Sequence, residues 1–179
     1  YCPHCDGPFF KGKDVAVVGG GNSGIEAAID LSTLASKVTV FEFLPELKAD
    51  KILIDQAFEK ENIDIHTNVE VQEIIAGNEQ VKAIKYKNRE SKNESSLNIS
   101  GVFVQIGLIP NSQFLKGVVE LNNFGEIIVN DYGETSEEGI FACGDVTTVP
   151  YKQIIISMGE GAKASLAASD YLMKQPATS

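Results

Sequence analysis

The sequence is short of positive charge: 15 Lys and Arg stand against 25 Asp and Glu, for a net charge of −10. With no local basic cluster either, such a surface repels a phosphate backbone, so a nucleic-acid partner is not expected. No apolar run approaches the roughly 18 residues that a membrane helix needs, and no basic segment followed by an apolar one opens the chain. The expectation is a soluble, cytoplasmic protein with no membrane partner. Cysteine is scarce too, at three residues, and unevenly placed: Cys2 and Cys5 share one turn, while Cys143 lies far off. That spacing excludes a secreted disulfide framework and leaves redox work or metal binding.

What is present reads as globular. Of 179 residues, 43% are hydrophobic and 22% charged, enough for one generous domain or two small ones. Strand and helix signals alternate, which predicts an α/β fold. "DVAVVG" (14–19) is an apolar strand ending in glycines, residues 23–35 form a helix with Ile25, Ala28 and Ile29 on one face, and "KVTVFEF" (37–43) is a second strand. Pro45 predicts the start of a charged helix running to about Glu61. Residues 63–88 alternate in short segments with a turn at Gly77-Asn78, predicting an antiparallel meander beside the parallel sheet. The polar stretch 88–96 reads as a solvated hairpin loop. "LNISGVFVQIG" then returns to strand character, "EIIV" predicts a short strand, residues 153–174 a final helix, and "QPATS" a frayed tail.

Gly19, Gly21 and Gly24 fit G-x-G-x-x-G between a predicted strand and a predicted helix, the context a dinucleotide loop requires. The first glycine permits the tight turn, the second lets a pyrophosphate approach the backbone, and the third lets helix and strand pack closely. The pyrophosphate would rest on the N–H groups of the helix start, where Asn22 and Ser23 stand. Glu42, at the end of the second strand, suits the ribose hydroxyls and would repel a 2′-phosphate; no arginine accompanies it in the residues that follow. NADH is therefore expected over NADPH.

Cys2 and Cys5 form C-x-x-C. Zinc would need further ligands, and His4, His66 and Cys143 make no second paired motif. Disulfide exchange is the preferred reading, with a thiol pKa lowered at a helix N-terminus and His4 able to steady the thiolate. Asp6 could relay the proton or simply cap the helix, and both readings stand. A hydride donor beside a disulfide needs a converter, and a flavin is one.

"ETSEEGIFACGDVTTVP" carries T-x-x-x-x-I-F-A-x-G-D and resembles the pyridine-nucleotide disulfide reductases of the low-molecular-weight thioredoxin reductase type. That resemblance implies FAD, with Gly144 and Asp145 at the ribityl chain, and with Gly107, Lys152, Gln153 and Ile154 around the flavin, the last three at the helix start aimed at its ring. Cys143 is expected to be a small buried hydrophobe. "YCPHCDGPFFKGKDVAVVGGGNSGIEAAIDL", "GVFVQIGLIPN" and "TTVPYKQIIISMGEGAKASLAASDYL" are more narrowly similar to the flavoprotein subunits of bacterial alkyl hydroperoxide reductases.

Pro3, His4 and Glu42 depart from thioredoxin reductases in that direction. The narrower resemblance implies electron flow from NAD(H) through FAD to Cys5 and Cys2, with Asp6 as proton donor, and on to an upstream thioredoxin-like domain of the same polypeptide and a peroxiredoxin subunit. A homodimer is also implied. By the same resemblance, residues 1–104 form an NAD(H)-binding domain with the redox motif. Residues 105–179 form the trailing part of a discontinuous FAD-binding domain whose other half, with its own glycine fingerprint, lies outside this sequence. A remnant of that kind would expose apolar surface. A thioredoxin reductase, or a nicotinamide-binding fragment without turnover, is the alternative.

Overall fold

The computed structural model describes residues 2–176; residue 1 and the end of the expected tail, 177–179, lie outside the described residues. The chain divides into two units, the first ending at Gly107 and the second beginning at Leu108.

The first unit is built on a four-stranded parallel sheet in the order β3-β2-β1-β7. These strands are β1 (Asp14–Val18), β2 (Lys37–Phe41), β3 (Ile63–His66) and β7 (Gly101–Val104). Beside it lies an antiparallel sheet of β4 (Val69–Ala76), β5 (Val81–Asn88) and β6 (Glu94–Asn98). The α/β class with a parallel sheet and an antiparallel meander is as expected. β1 is apolar at successive positions because both its faces are covered. Val15 and Val17 pack with Ile25, Ala28 and Leu31 of α2 (Asn22–Ser32), while Ala16 turns the other way onto Phe41, Val69 and Ile84.

Three expectations need correction. The helix after β2 is α3 (Lys51–Phe58), not a run from Pro45. Residues 42–50 are held in extended and bent forms by Gly20 and Glu42, since the Lys48 N–H donates to the Gly20 carbonyl and the Leu44 N–H to Glu42 Oε1. "IDIH" belongs to the parallel sheet, where Ile63 and Ile65 pair with Val38 and Val40, so the meander starts only at Val69. "EIIV" is not a strand; Ile127 makes only isolated bridges, to Leu121 and Thr147.

The second unit has little regular structure before α4 (Ile154–Lys174). Ile109, Phe114, Phe124 and Ile154 are each at least 80% exposed. Those side chains meet none of the burial that usually stabilises them.

Candidate active site

At the carboxyl end of β1 the three motif glycines have three different surroundings. Gly19 has φ +119°, and a Cβ on it would stand 2.3 Å from the Gln105 carbonyl oxygen. On Gly24 a Cβ would stand 1.9 Å from the Gly19 oxygen. On Gly21 it would meet nothing within 4 Å. Two glycines are therefore required by the turn and by helix-to-strand packing, and the middle one faces open space. Gly21 is also the N-cap of α2 and has no side chain to cap the helix, so no N-cap side chain serves the first N–H groups of the helix, around Asn22 and Ser23. The Asn22 side chain is otherwise engaged: its Nδ2 donates to Asp50 Oδ2 at 3.0 Å, and its Oδ1 accepts the Asp50 N–H at 2.7 Å. The loop is thereby tied to the start of α3.

Glu42 is not a surface carboxylate. It is 8% exposed, with Oε2 accepting the Gly20 N–H and Oε1 the Leu44 N–H at 2.7 Å. A cleft of about 380 Å³ opens here, lined by Val18, Gly19, Phe41, Glu42, Phe43 and Ile106 among others. It lies outside the carboxyl ends of parallel strands, where ligands of such sheets bind. A larger cavity beside Asp14, Asn78 and Lys82 touches neither the glycine loop nor a thiol.

The C-x-x-C pair sits on α1 (Pro3–Asp6), a single turn with Cys2 as N-cap. Asp6 Oδ2 accepts the Cys2 N–H at 3.1 Å, a capping contact that also sets a carboxylate beside the thiols. Cys2 and Cys5 stand as thiols with no disulfide between them. The expected depression of a thiol pKa is reversed at Cys5. Its hydrogen bond to Cys2, partial desolvation and the neighbouring negative charges of Cys2 and Asp6 raise it above the usual thiol value. One turn of helix carries too little dipole to oppose that. Alkylation of Cys5 by iodoacetamide is therefore expected to reach half its maximal rate at higher pH than for a free cysteine. Cys2→Ala should move that midpoint down; an unchanged midpoint would discard the hydrogen bond.

His4 turns to the neighbouring helix, where its Nδ1 stands 3.2 Å from Asp30 Oδ2 on α2. Three contacts fix the C-x-x-C turn to the glycine-loop half of the unit: His4 to Asp30, Gly7 against Leu31, and Phe10 edge-on to Phe103 at 5.3 Å. Phe10 occupies the space that a Cβ on Gly101 would need.

Within the second unit, Gly144 has φ +77°, and Asp145 Oδ1 accepts the Ser157 hydroxyl at 2.8 Å. Lys152 pairs with Glu126 at 2.9 Å and reaches the Thr147 carbonyl. The lysine's hydrogen bond, with one from Asn122, holds the Glu126 carboxyl below its ordinary pKa. Asp145, Lys152 and Glu126 border a cavity of about 240 Å³. Gln153 is the N-cap of α4 and Ile154 its first residue. Gly107, the last residue of the first unit, has φ +96° and open space about its Cβ position. Cys143 is exposed and lies outside any strand, against expectation.

Comparison with known proteins decides what this arrangement belongs to. The family model described as pyridine nucleotide-disulphide oxidoreductase matches residues 1–163. The chain belongs to this family. An alkyl hydroperoxide reductase subunit of Escherichia coli K12 is 54% identical over 97% of the chain and 33% of its own length. A Bacillus subtilis protein named NADH dehydrogenase is 55% identical over 97% of the chain and 34% of its length. A solved thioredoxin reductase from Streptococcus pyogenes superposes with TM-score 0.88 at 36% identity, covering 98% of this chain and 57% of that one. This pyridine nucleotide-disulphide oxidoreductase chain thus spans about a third of the length of the curated relatives it matches. Among the described residues no helix is long and apolar enough to cross a membrane.

Proposed function

We propose that this chain carries the NADH-binding and dithiol part of an NADH-dependent flavoprotein disulfide reductase of the alkyl hydroperoxide reductase type, working in the cytoplasm. The observation that carries the reading is the docking of the C-x-x-C turn onto the glycine-loop helix within one unit, through His4 and Asp30. In this reading Gly21 and the first turn of α2 hold the pyrophosphate, and Glu42 accepts from the ribose with the lone pairs its two backbone partners leave over. Phosphate on the 2′ position would meet that carboxylate, which disfavours NADPH.

FAD, when bound, converts a hydride into the electron pair that opens a disulfide. The residues present fit one end of it. Gly144 allows close backbone approach, Asp145 offers a carboxylate, and the α4 start is uncapped by a side chain. The 240 Å³ cavity is smaller than the roughly 300 to 1,000 Å³ of ordinary ligand sites. The second unit is accordingly read as the trailing part of an FAD-binding domain, with its exposed apolar side chains packing on a further half of that domain.

Reduced Cys2 would attack the disulfide of a thioredoxin-like domain upstream in the same polypeptide, and Cys5 would resolve the mixed disulfide, with Asp6 moving the proton. The electrons pass to a peroxiredoxin subunit and an alkyl hydroperoxide. The whole enzyme is a homodimer in this reading. The test is reduction of a disulfide dye by NADH, with FAD supplied, by this chain joined to the further half of the FAD-binding domain. Turnover that requires FAD supports the relay, and turnover indifferent to it contradicts the reading.

Glu42→Ala separates the cofactor reading from the rest. It is expected to lower the preference for NADH over NADPH at least about tenfold, as seen by titrating both, because the repulsion of the 2′-phosphate is gone. The same change leaves the N–H groups of Gly20 and Leu44 unsatisfied and costs about 1 to 3 kcal/mol of stability. A variant with unchanged preference would remove Glu42 from the cofactor site.

A further inference from the structure

Beside the carboxylate assigned to the ribose stands a cation that sequence order hides. Arg89 follows β5 directly, and its guanidinium carbon lies 3.8 Å from the centroid of the Phe43 ring. Nη1 donates to the Phe43 carbonyl at 2.9 Å and to Asn68 Oδ1 at 3.4 Å. The Arg89 backbone N–H goes to the Asn68 carbonyl, and the Asn68 N–H to the Leu44 carbonyl, each at 2.8 Å. Asn68 itself takes the left-handed conformation, φ 57°, to make this junction. A planar cation is therefore clamped onto an aromatic face at the residue next to Glu42.

Two features point past a loop contact. Phe43 remains 49% exposed and Arg89 is half-buried, so both members of the pair keep contact with solvent. Among the described residues no carboxylate lies within ion-pair distance of Arg89, so its charge is not used up inside the protein. The guanidinium is weakly hydrated and stacks on flat π systems, and purines stack well on such planes. With the ribose at Glu42, the base of a dinucleotide leads outward from the strand end, toward Phe43.

Building on the NADH reading above, we propose that Arg89, seated on Phe43, is the plate on which the adenine of the dinucleotide stacks. The antiparallel meander thereby supplies recognition of the adenosine end, and Glu42 supplies recognition of the ribose.

Calorimetric titration of the 179-residue chain with NADH, with ADP-ribose and with reduced nicotinamide mononucleotide, which lacks the adenosine, tests this. Arg89→Ala is expected to weaken NADH and ADP-ribose by about tenfold each and the mononucleotide by less than about twofold. Arg89→Lys keeps the charge without the plane and is expected to lose most of the same affinity. Equal losses for all three ligands would make Arg89 a fold contact, and full affinity in Arg89→Lys would make it a point charge; either overturns the proposal, as does unchanged NADH affinity in Arg89→Ala. A wild-type chain that fails to bind NADH overturns the dinucleotide reading itself, an outcome distinct from these.

Discussion

With Cys5 replaced by serine, NADH-driven reduction of a disulfide dye in the FAD-supplied assay is expected to fall by at least about a thousandfold. NADH affinity should stay within about twofold of wild type. The first effect is large because the chemistry is the making and breaking of one S–S bond, and an oxygen cannot take a sulfur's place in it. The second follows from the site. Neither thiol borders the cleft at Gly19 and Glu42, and the C-x-x-C turn touches the glycine-loop helix through His4 and Asp30, which the substitution leaves in place. Cys5 is exposed, so its loss removes no core packing. Cys2→Ser should show the same loss of turnover. A variant that reduces the dye at the wild-type rate would take the C-x-x-C out of the electron path.

Adding one methyl group to the glycine loop should give opposite results at neighbouring positions. Gly24→Ala sets a Cβ where the Gly19 carbonyl oxygen already stands, at 1.9 Å, and backbone cannot rotate away as a side chain would. The expected destabilisation is about 3 kcal/mol or more, read from denaturant melts. Gly21→Ala meets nothing within 4 Å and keeps φ at −83°, a value any residue adopts. Its stability should change by less than about 1 kcal/mol, while NADH affinity falls at least tenfold or so because the methyl occupies the approach of the pyrophosphate. Equal stability losses at both positions would mean the loop is only a tight turn. A Gly21→Ala chain that binds NADH normally would contradict the assignment of the pyrophosphate.

Local signals carry much of the fold. The run Val15, Ala16, Val17 is apolar because α2 covers one face of β1 and the meander the other, so burial and sequence agree there. The glycine spacing is legible because Gly24 meets the Gly19 carbonyl across the turn itself, whereas the crowding of Gly19 by Gln105 comes from the far end of the unit and is not. What is not legible depends on partners distant in sequence. Pro45 reads as a helix start, but the backbone beside it is held by Glu42 and Gly20, and the helix waits until Asp50, which Asn22 engages from 28 residues away. Ile63 and Ile65 alternate like meander residues, yet they extend the parallel sheet, because alternation alone does not say which strand is the neighbour. Arg89 is hidden for the same reason. It lies in a polar hairpin loop and reaches Phe43 only through the fold, from 46 positions away in the sequence. The Cys5 thiol misleads because its pKa is raised by groups that the fold sets around it, the hydrogen bond to Cys2 first and then desolvation and the charges of Cys2 and Asp6.

The central claim is that the first unit is an NADH site with a dithiol attached. Calorimetric titration of the 179-residue chain with NADH and NADPH, before any flavin is added, tests it most directly. The account predicts saturable 1:1 binding of NADH, with NADPH weaker by about tenfold or more because of the buried Glu42 carboxylate. Absence of NADH binding, or a preference for NADPH, would contradict it.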